Sequence, residues 1–198
     1  IVCFSFDGIK NITAGEGGAI LTSDRRLIEK MQDSRLLGVK KDTEKRVLNQ
    51  RSWDFDVASQ GFRFHMSNIN AAIGIEQLKR IEFFKEKRQF IVQRYIKILS
   101  PINEVKFLNL NYKEIISHIF VIKVKNRDGL RDYLLKYGIE CGIHYKPNHM
   151  LQMYLNSLTT LPITESLYKE IISLPCHVDL SLLEQDYVIQ KIGEFYNA

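Results

Sequence analysis

A lysine-bearing loop with four glycines separates two short apolar segments near the start of the sequence. Residues 1–6 and 19–22 are typical of strands, the first of them buried, and residues 7–18 join them. Glycines tolerate unusual backbone conformations and let backbone N–H groups approach an anion closely. Lys10 precedes the glycine cluster, so the loop is not a P-loop, whose lysine follows its last glycine. By composition alone, an ordinary glycine turn is the alternative interpretation.

The rest of the sequence predicts a mixture of helices and strands. Asp24 is a candidate N-cap for a helix that ends at Gly38, and residues 39–63 form a long irregular connection. Ser67 precedes apolar residues at three- and four-residue steps, which predict one helix over 68–99. Such a helix spans about 48 Å at about 1.5 Å per residue, a length at which it links two domains or bends. Further elements are expected as strands over 115–125 and 139–145 and as helices over 127–137, 164–174 and 181–196.

This order of elements indicates an α/β protein with two lobes. Residues 1–66 are expected to be the end of an α/β domain, residues 67–99 the linking helix, and residues 100–198 a small α+β domain.

Charge and cysteine content exclude several classes of protein. The net charge of +5 comes from 28 basic and 23 acidic residues, and acids interrupt both basic runs, so we expect no nucleic-acid partner. The three cysteines lie far apart and form neither a disulfide framework nor a zinc cluster, which favours a reducing, cytoplasmic location. No run of 18 apolar residues exists, so a membrane-spanning helix is not expected.

Four sequence motifs carry a family resemblance. Residues 5–18 read S-F-D-G-I-K-N-I-T-A-G-E-G-G. They resemble the S-F-x-x-x-K-N-[IL]-T-x-G-E-G-G signature of the DegT-type sugar-nucleotide aminotransferases, which are pyridoxal-phosphate (PLP) enzymes of fold type I. Residues 61–74 are similar to the family's G-[YF]-N-[YF]-R-M-S-[DN]-I-x-A-A-[IL]-G motif, and residues 142–149 to its G-[IV]-x-H-Y-x-P-x-H motif. The S-L-P of residues 173–175 and the D-Y-V-I of 186–189 match its C-terminal elements.

The resemblance assigns roles around the cofactor. It implies that Lys10 is the Schiff-base lysine and moves a proton during catalysis, and that the Ser5 hydroxyl contacts the PLP phosphate. Family members form homodimers in which a side chain of the second motif reaches the partner subunit's phosphate. Here Arg63 replaces the usual Asn and His65 the usual Arg, so either residue is a candidate for that contact.

The third motif contributes candidates for substrate binding. The resemblance implies that His144, Tyr145 and His149 contact a nucleotide sugar. The two histidines lack a third ligand at a suitable spacing, so no metal site is expected. Some relatives carry histidine in place of the lysine and act as dehydratases, so the presence of Lys10 favours transamination.

Together these motifs imply the C-terminal half of a PLP-dependent aminotransferase. It would transfer an amino group, with glutamate as the expected donor, to a nucleotide-linked keto sugar in amino-sugar or polysaccharide biosynthesis. Residues 1–66 would then belong to the large PLP-binding domain. The sequence lacks the family's N-terminal segment, which supplies the acid at the pyridine nitrogen and the aromatic stacked on the ring. A non-catalytic fragment with a structural or dimerising role is therefore the alternative, and a nucleic-acid-binding regulator is a third hypothesis that rests only on the net charge.

Overall fold

The computed structural model describes residues 1–40, 48–50, 55–157 and 160–197. The chain divides into two compact units, Ile1–Ile81 and Glu82–Ala198. The first contains β1 (Val2–Ser5), β2 (Gly18–Leu21), α1 (Arg25–Ser34) and α2 (Asn68–Lys79). The second is built from α3 (Ile81–Leu99), β3 (Val105–Phe107), β4 (Phe120–Val124), α4 (Arg127–Lys136), two 3₁₀ helices (Asn148–Met150 and Gln152–Ser157), α5 (Pro162–Glu170), β5 (Ile171–Leu174) and α6 (Leu182–Asn197). No helix in the described ranges is both long enough and apolar enough to cross a membrane.

The two strands expected in the first unit are present, and they pair with each other as a hairpin. They pair antiparallel, with Val2 opposite Leu21 and Ser5 opposite Gly18. The prediction that the first strand is buried is wrong, because all four of its residues are exposed. Val2 and Leu21 are more than half exposed on one face, and Ile20 is equally exposed on the other. Within the described chain, apolar side chains on both faces of this hairpin are therefore about half exposed.

The helices of the first unit begin where the sequence predicts. The Asp24 carboxylate accepts the Arg26 N–H at 2.9 Å and caps α1, and the Ser67 hydroxyl caps α2. The single helix expected over 68–99 is two helices, α2 and α3. At Arg80 the backbone leaves helical geometry, and its N–H bonds the Gln77 carbonyl in a tighter turn. The predicted connection over 39–63 falls partly on residues outside the described ranges, 41–47 and 51–54.

The second unit folds around an antiparallel sheet with the order β3-β4-β5. The central strand β4 alternates buried and half-buried residues, as expected of a strand with one face on the core. The core is a cluster of buried apolar residues from the strands and helices, namely Ile91, Val92, Tyr95, Leu99, Val105, Phe120, Ile122, Val124, Leu130, Leu134, Ile139, Ile172, Leu174, Cys176, Val188 and Ile192.

Two predictions for the second unit are wrong. The helix expected over 164–174 is the shorter α5, capped at Leu161 rather than Thr164, and residues Ile171–Leu174 are strand β5. A short apolar run fits either period, and pairing with β4 decides for the strand. The strand expected over 139–145 is absent, and only an isolated bridge between Gly142 and Ser173 forms there.

A buried arginine ties three chain segments of the second unit together. Arg88 lies on α3 and is only 7% exposed. Its Nη1 donates to the backbone carbonyls of Ser117 (3.1 Å), His118 (3.2 Å) and Cys176 (2.5 Å). The sequence places His118 within a predicted strand, but it lies before β4. These carbonyls depend on the guanidinium because little water reaches it.

We expect Arg88→Met to destabilise the protein by about 2–4 kcal/mol, because it leaves buried carbonyl groups without a donor. Urea unfolding followed by circular dichroism measures this change. Arg131→Met is the matched control, since the Arg131 guanidinium is partly exposed and bonds the carboxylate of its sequence neighbour Asp132. Equal losses in both variants would contradict the proposed importance of the carbonyl contacts.

Candidate functional site

The lysine loop is closed at Phe6. The Phe6 N–H donates to the Gly17 carbonyl at 2.9 Å and extends the hairpin by one further bond. The Phe6 carbonyl accepts two hydrogen bonds, from the Ala14 N–H at 2.9 Å and from the Thr13 hydroxyl at 3.1 Å. Thr13 Oγ1 in turn accepts the Gly15 N–H at 2.9 Å. The loop therefore has a fixed closure although it contains no regular secondary structure.

Lys10 lies in a tight turn of this loop, close in sequence to Ser5. Its N–H donates to the Asp7 carbonyl at 3.0 Å, and the Asp7 carboxylate accepts the Ile9 N–H at 3.1 Å. Ser5 Oγ accepts the Asp7 N–H at 3.3 Å, which leaves the hydroxyl hydrogen to be donated elsewhere. Lys10 is half-buried, and no acid or hydrogen-bond acceptor engages its ammonium group in the described part of the chain.

Two glycines of the loop are required by geometry. Gly15 and Gly17 have positive φ angles of 77° and 143°, which side-chain-bearing residues rarely adopt. A Cβ atom on Gly17 would also lie 2.5 Å from Cε of Met66. The loop therefore packs against the segment before α2, and a side chain at Gly17 would have to displace the end of the Met66 side chain.

Asn70 anchors the loop to helix α2. Its Nδ2 donates to the carbonyls of Ala14 at 2.7 Å and Glu16 at 3.2 Å. Its Oδ1 accepts the hydroxyl of Ser67, and its N–H donates back to that hydroxyl at 3.1 Å. One side chain thus joins the helix cap to the glycine cluster. The sequence contains Asn70 inside the second motif, but its role shows only in the fold.

Arg63 and His65 lie on an extended segment beside the end of α1. Arg63 pairs with Leu36 in an isolated bridge, and its side chain is exposed. His65 is also exposed and lines an open cavity of about 390 Å³. The lining residues are Glu16, Gly17, Gly18, Phe64, His65, Met66, Ser67 and Asn70. The structure therefore brings His65 together with the glycine cluster, whereas Arg63 does not line this cavity.

His144 and Tyr145 lie in the second unit, after α4. The two rings meet edge to face, with centroids 4.7 Å apart, and Tyr145 is 61% exposed. His144 is half-buried, and its Nδ1 lies 2.8 Å from the Ser173 hydroxyl on β5. Tyr145 therefore presents an open aromatic face beside an imidazole that is held at one nitrogen.

His149 is engaged by an acid rather than open to a ligand. Its side chain is 11% exposed, and its Nε2 lies 3.0 Å from Oε1 of Glu165. The same carboxylate accepts the Leu161 N–H at 3.0 Å, at the start of α5. That N–H, and then the His149 ring, lower the pKa of Glu165 from its ordinary value of 4.5. The pair therefore connects the first 3₁₀ helix to α5.

The sequence analysis did not identify three residues that hold parts of the candidate site. Asn70 binds backbone carbonyls of the lysine loop, Glu165 binds the His149 ring and Ser173 binds the His144 ring. Ser173 belongs to the S-L-P motif, but a helix rather than a strand was expected there. Partners of this kind carry no local sequence signal, because they lie 16 to 56 residues from the groups they contact. No group of three or more potential metal ligands is found within the described ranges.

The chain belongs to the DegT/DnrJ/EryC1/StrS aminotransferase family, whose sequence model matches residues 1–193. This match covers both units and all four motifs, so the resemblance inferred from the motifs is confirmed.

Characterised relatives are similar over nearly the whole chain. A UDP-4-amino-4,6-dideoxy-N-acetyl-beta-L-altrosamine transaminase of Campylobacter jejuni is 30% identical over 193 residues, which cover 93% of this chain and 49% of the relative. The chain thus spans about half the length of the curated relatives it matches.

Solved structures share the fold, which is that of mixed α/β sugar aminotransferases. Helicobacter pylori PseC, an aminotransferase involved in the biosynthesis of pseudoaminic acid, has a TM-score of 0.86 and 29% identity, covering 98% of this chain and 53% of that one. Spr1654 from Streptococcus pneumoniae in its PLP-form has a TM-score of 0.85 and 26% identity, covering 98% and 51%.

We expect Asn70→Ala to loosen the lysine loop, because the Ala14 and Glu16 carbonyls lose their donor. Amide hydrogen exchange at Ala14 and Gly15 should accelerate, and the protein should lose about 1–2 kcal/mol of stability. Asn68→Ala, at the exposed first position of α2, is the matched control. Unchanged exchange at both amides would show that Asn70 does not hold the loop.

The Glu165 carboxylate should stabilise the protein in a pH-dependent manner. Because its pKa is lowered in the folded state, the contribution is present above the ordinary pKa of 4.5 and is lost as the pH falls through the folded-state pKa. Glu165→Gln should therefore lower the urea midpoint at about pH 6–7, with the difference shrinking toward about pH 3. A difference that is constant over this pH range would contradict the assignment to the ionised carboxylate. Glu29→Gln, on the exposed side of α1, is the control.

Proposed function

We propose that this protein is a PLP-dependent aminotransferase that acts on a nucleotide-linked keto sugar. The observation that carries this proposal is Lys10, whose amine has no competing partner in the described chain and lies in a loop closed by backbone hydrogen bonds. The similar transaminase of Campylobacter jejuni acts on a UDP-linked amino sugar by its name, which supports the substrate class. Glutamate as the amino donor rests on the family resemblance alone.

The residues of the first unit fit PLP. An amine without an ion pair is available for covalent attachment to the cofactor aldehyde. The Ser5 hydroxyl already accepts the Asp7 N–H and retains its hydrogen for a phosphate oxygen. The PLP-form of the similar protein Spr1654 supports the same cofactor here.

Lys10 has two tasks in this proposal. Bound PLP supplies an electron-poor ring that stabilises negative charge at the carbon carrying the amino group. Lys10 Nζ first holds the cofactor and then, once released, moves the proton at that carbon as a general base and acid. The backbone turn at Asp7 keeps the amine in one region of the loop throughout these steps.

The chain corresponds in this proposal to the C-terminal half of the enzyme. It spans about half of its relatives, and the hairpin β1–β2 exposes apolar side chains on both faces, as expected if a further segment covers them. Residues 1–66 would then be the end of the large PLP-binding domain, residues 67–99 the linking helical region, and residues 100–198 the small domain.

We place the enzyme in the cytoplasm as a homodimer. Free Cys3, Cys141 and Cys176 suit a reducing compartment. Across the dimer interface Arg63 or His65 would bind the partner's PLP phosphate, and both side chains are exposed for such a contact. His65 is favoured for a role near the lysine loop of its own subunit, because it lines the cavity beside the glycine cluster. Arg63 is the better candidate for the contact with the partner's PLP phosphate, because it is exposed and does not line this cavity.

The residues proposed to contact the nucleotide sugar have different surroundings. Tyr145 is open and His144 keeps one nitrogen for a ligand, so both suit substrate contact. His149 matches the family motif, but its Nε2 already faces Glu165. We therefore assign His149 a structural role, in which its contact with Glu165 holds the segment that follows Tyr145.

We expect Lys10→Ala to lower turnover by more than about 1,000-fold, since both covalent attachment and proton transfer require the amine. Borohydride reduction with PLP, followed by peptide mass mapping, should show a phosphopyridoxyl adduct on Lys10 in the protein expressed from its own gene. Lys30→Ala, on the exposed side of α1, is the control and should keep both activity and adduct.

The same experiment separates the catalytic proposal from the alternative of a non-catalytic remnant. A protein that forms no adduct on Lys10 and transfers no amino group from any donor would be a structural or dimerising module. An adduct on another lysine with full activity in Lys10→Ala would also overturn the assignment.

A further inference from the structure

The ring of His144 occupies the space that a side chain at position 142 would need. A Cβ atom built on Gly142 would lie 3.0 Å from Nδ1 and 3.1 Å from Nε2 of His144, and closer still to Cε1. Gly142 does not have a positive φ, so its backbone would accept another residue. A side chain at this position would therefore displace the imidazole, which folds back over the Gly142 α carbon.

Ser173 holds the same ring from the sheet. It lies on β5, is only 5% exposed, and is paired with Val121 of the central strand. Two backbone hydrogen bonds join it to Gly142, from the Gly142 N–H at 3.1 Å and from the Ser173 N–H at 2.7 Å. Its hydroxyl then lies 2.8 Å from His144 Nδ1. The ring is therefore attached to the rigid core of the second unit.

The direction of this hydrogen bond follows from the burial of the hydroxyl. Among the described residues, His144 Nδ1 is the only side-chain partner of Ser173 Oγ. A buried hydroxyl hydrogen without an acceptor is costly, so the hydroxyl donates and Nδ1 accepts. A neutral imidazole that accepts at Nδ1 carries its hydrogen on Nε2. His144 then offers one N–H donor in a fixed direction.

We propose that Ser173, together with Gly142, is a positioning residue that holds His144 as an Nε2–H donor toward an oxygen of the nucleotide sugar. This proposal rests on the proposed function and adds the groups that set the orientation of one of its substrate contacts. The acceptor is a phosphate, hydroxyl or carbonyl oxygen, since an N–H donor binds any of these. Ser173 touches neither substrate nor cofactor in this role and acts through the imidazole.

The first test is a ¹H–¹⁵N spectrum of the histidine rings in the full-length protein at about pH 8, where histidine is ordinarily neutral. The His144 signals are assigned by their loss in His144→Gln. We expect the Nε2–H tautomer in the unmodified protein, a mixture of tautomers in Ser173→Ala, and recovery in Ser173→Thr. Ser166→Ala, which removes an exposed hydroxyl that bonds Glu170, is the control.

The second test is steady-state kinetics on the same variants with a UDP-linked keto sugar. Ser173→Ala should raise KM for the sugar about five- to tenfold, which matches loss of one oriented neutral hydrogen bond, while KM for the amino donor and kcat change less than about twofold. Gly142→Ala should raise the same KM because the ring is displaced although the hydroxyl remains. It also serves as the deciding variant if Ser173→Ala fails to fold.

The outcomes separate this proposal from the proposed function. An unchanged His144 tautomer in Ser173→Ala overturns the positioning role whatever the activity. A changed tautomer with unchanged KM for the sugar also overturns it, because the oriented ring then contacts no substrate. A protein without transaminase activity refutes the proposed function and with it the substrate contact, whereas the spectrum still reports whether Ser173 holds the ring.

Discussion

Closure of the lysine loop at Phe6 is the constraint on which the candidate site depends. Its N–H and carbonyl make hydrogen bonds to Gly17, Ala14 and Thr13, so the chain returns to Phe6 after residues 7–16. Each of these bonds is worth only about 1 kcal/mol, but together they restrict a segment that glycines would otherwise leave free. The cluster is completed by Asn70, which attaches the loop to the first turn of a helix. The position of Lys10 is a consequence of this closure.

The second unit is held together by contacts of the same kind as those of Asn70. In each of them a polar side chain binds a backbone group or a ring that lies far away in sequence. Arg88 binds three carbonyls, Glu165 binds the His149 ring and a helix N-terminus, and Ser173 binds His144. Irregular segments need such partners because their backbone groups cannot bond each other as they do in a helix or a sheet. The residues that resemble a substrate-binding motif lie on one of these irregular segments, so their orientation depends on the partners.

Local patterns predicted the elements with clear signals. The structure contains the N-caps at Asp24 and Ser67, the two strands that flank the lysine loop and the helix expected over 127–137. Errors arose where one pattern suits two structures. The apolar run at Ile171–Leu174 fits a buried helix turn or a strand, and pairing with β4 is a long-range contact that no local pattern encodes. The break between the two helices at Arg80 also could not be predicted from the sequence pattern, because the apolar periodicity continues across it.

Both the family and the candidate lysine were predicted from residue types at fixed spacing along a continuous segment. The match over residues 1–193 confirmed the family, whereas the role of Lys10 stays a prediction. The fold, in contrast, was needed to show which candidate side chains keep a polar atom available to a ligand. His149 faces Glu165, whereas His144 is held at one nitrogen over Gly142. The physical reason is that hydrogen-bond partners are chosen by proximity in space, and residues separated by 16 or 29 positions become neighbours only when the chain folds.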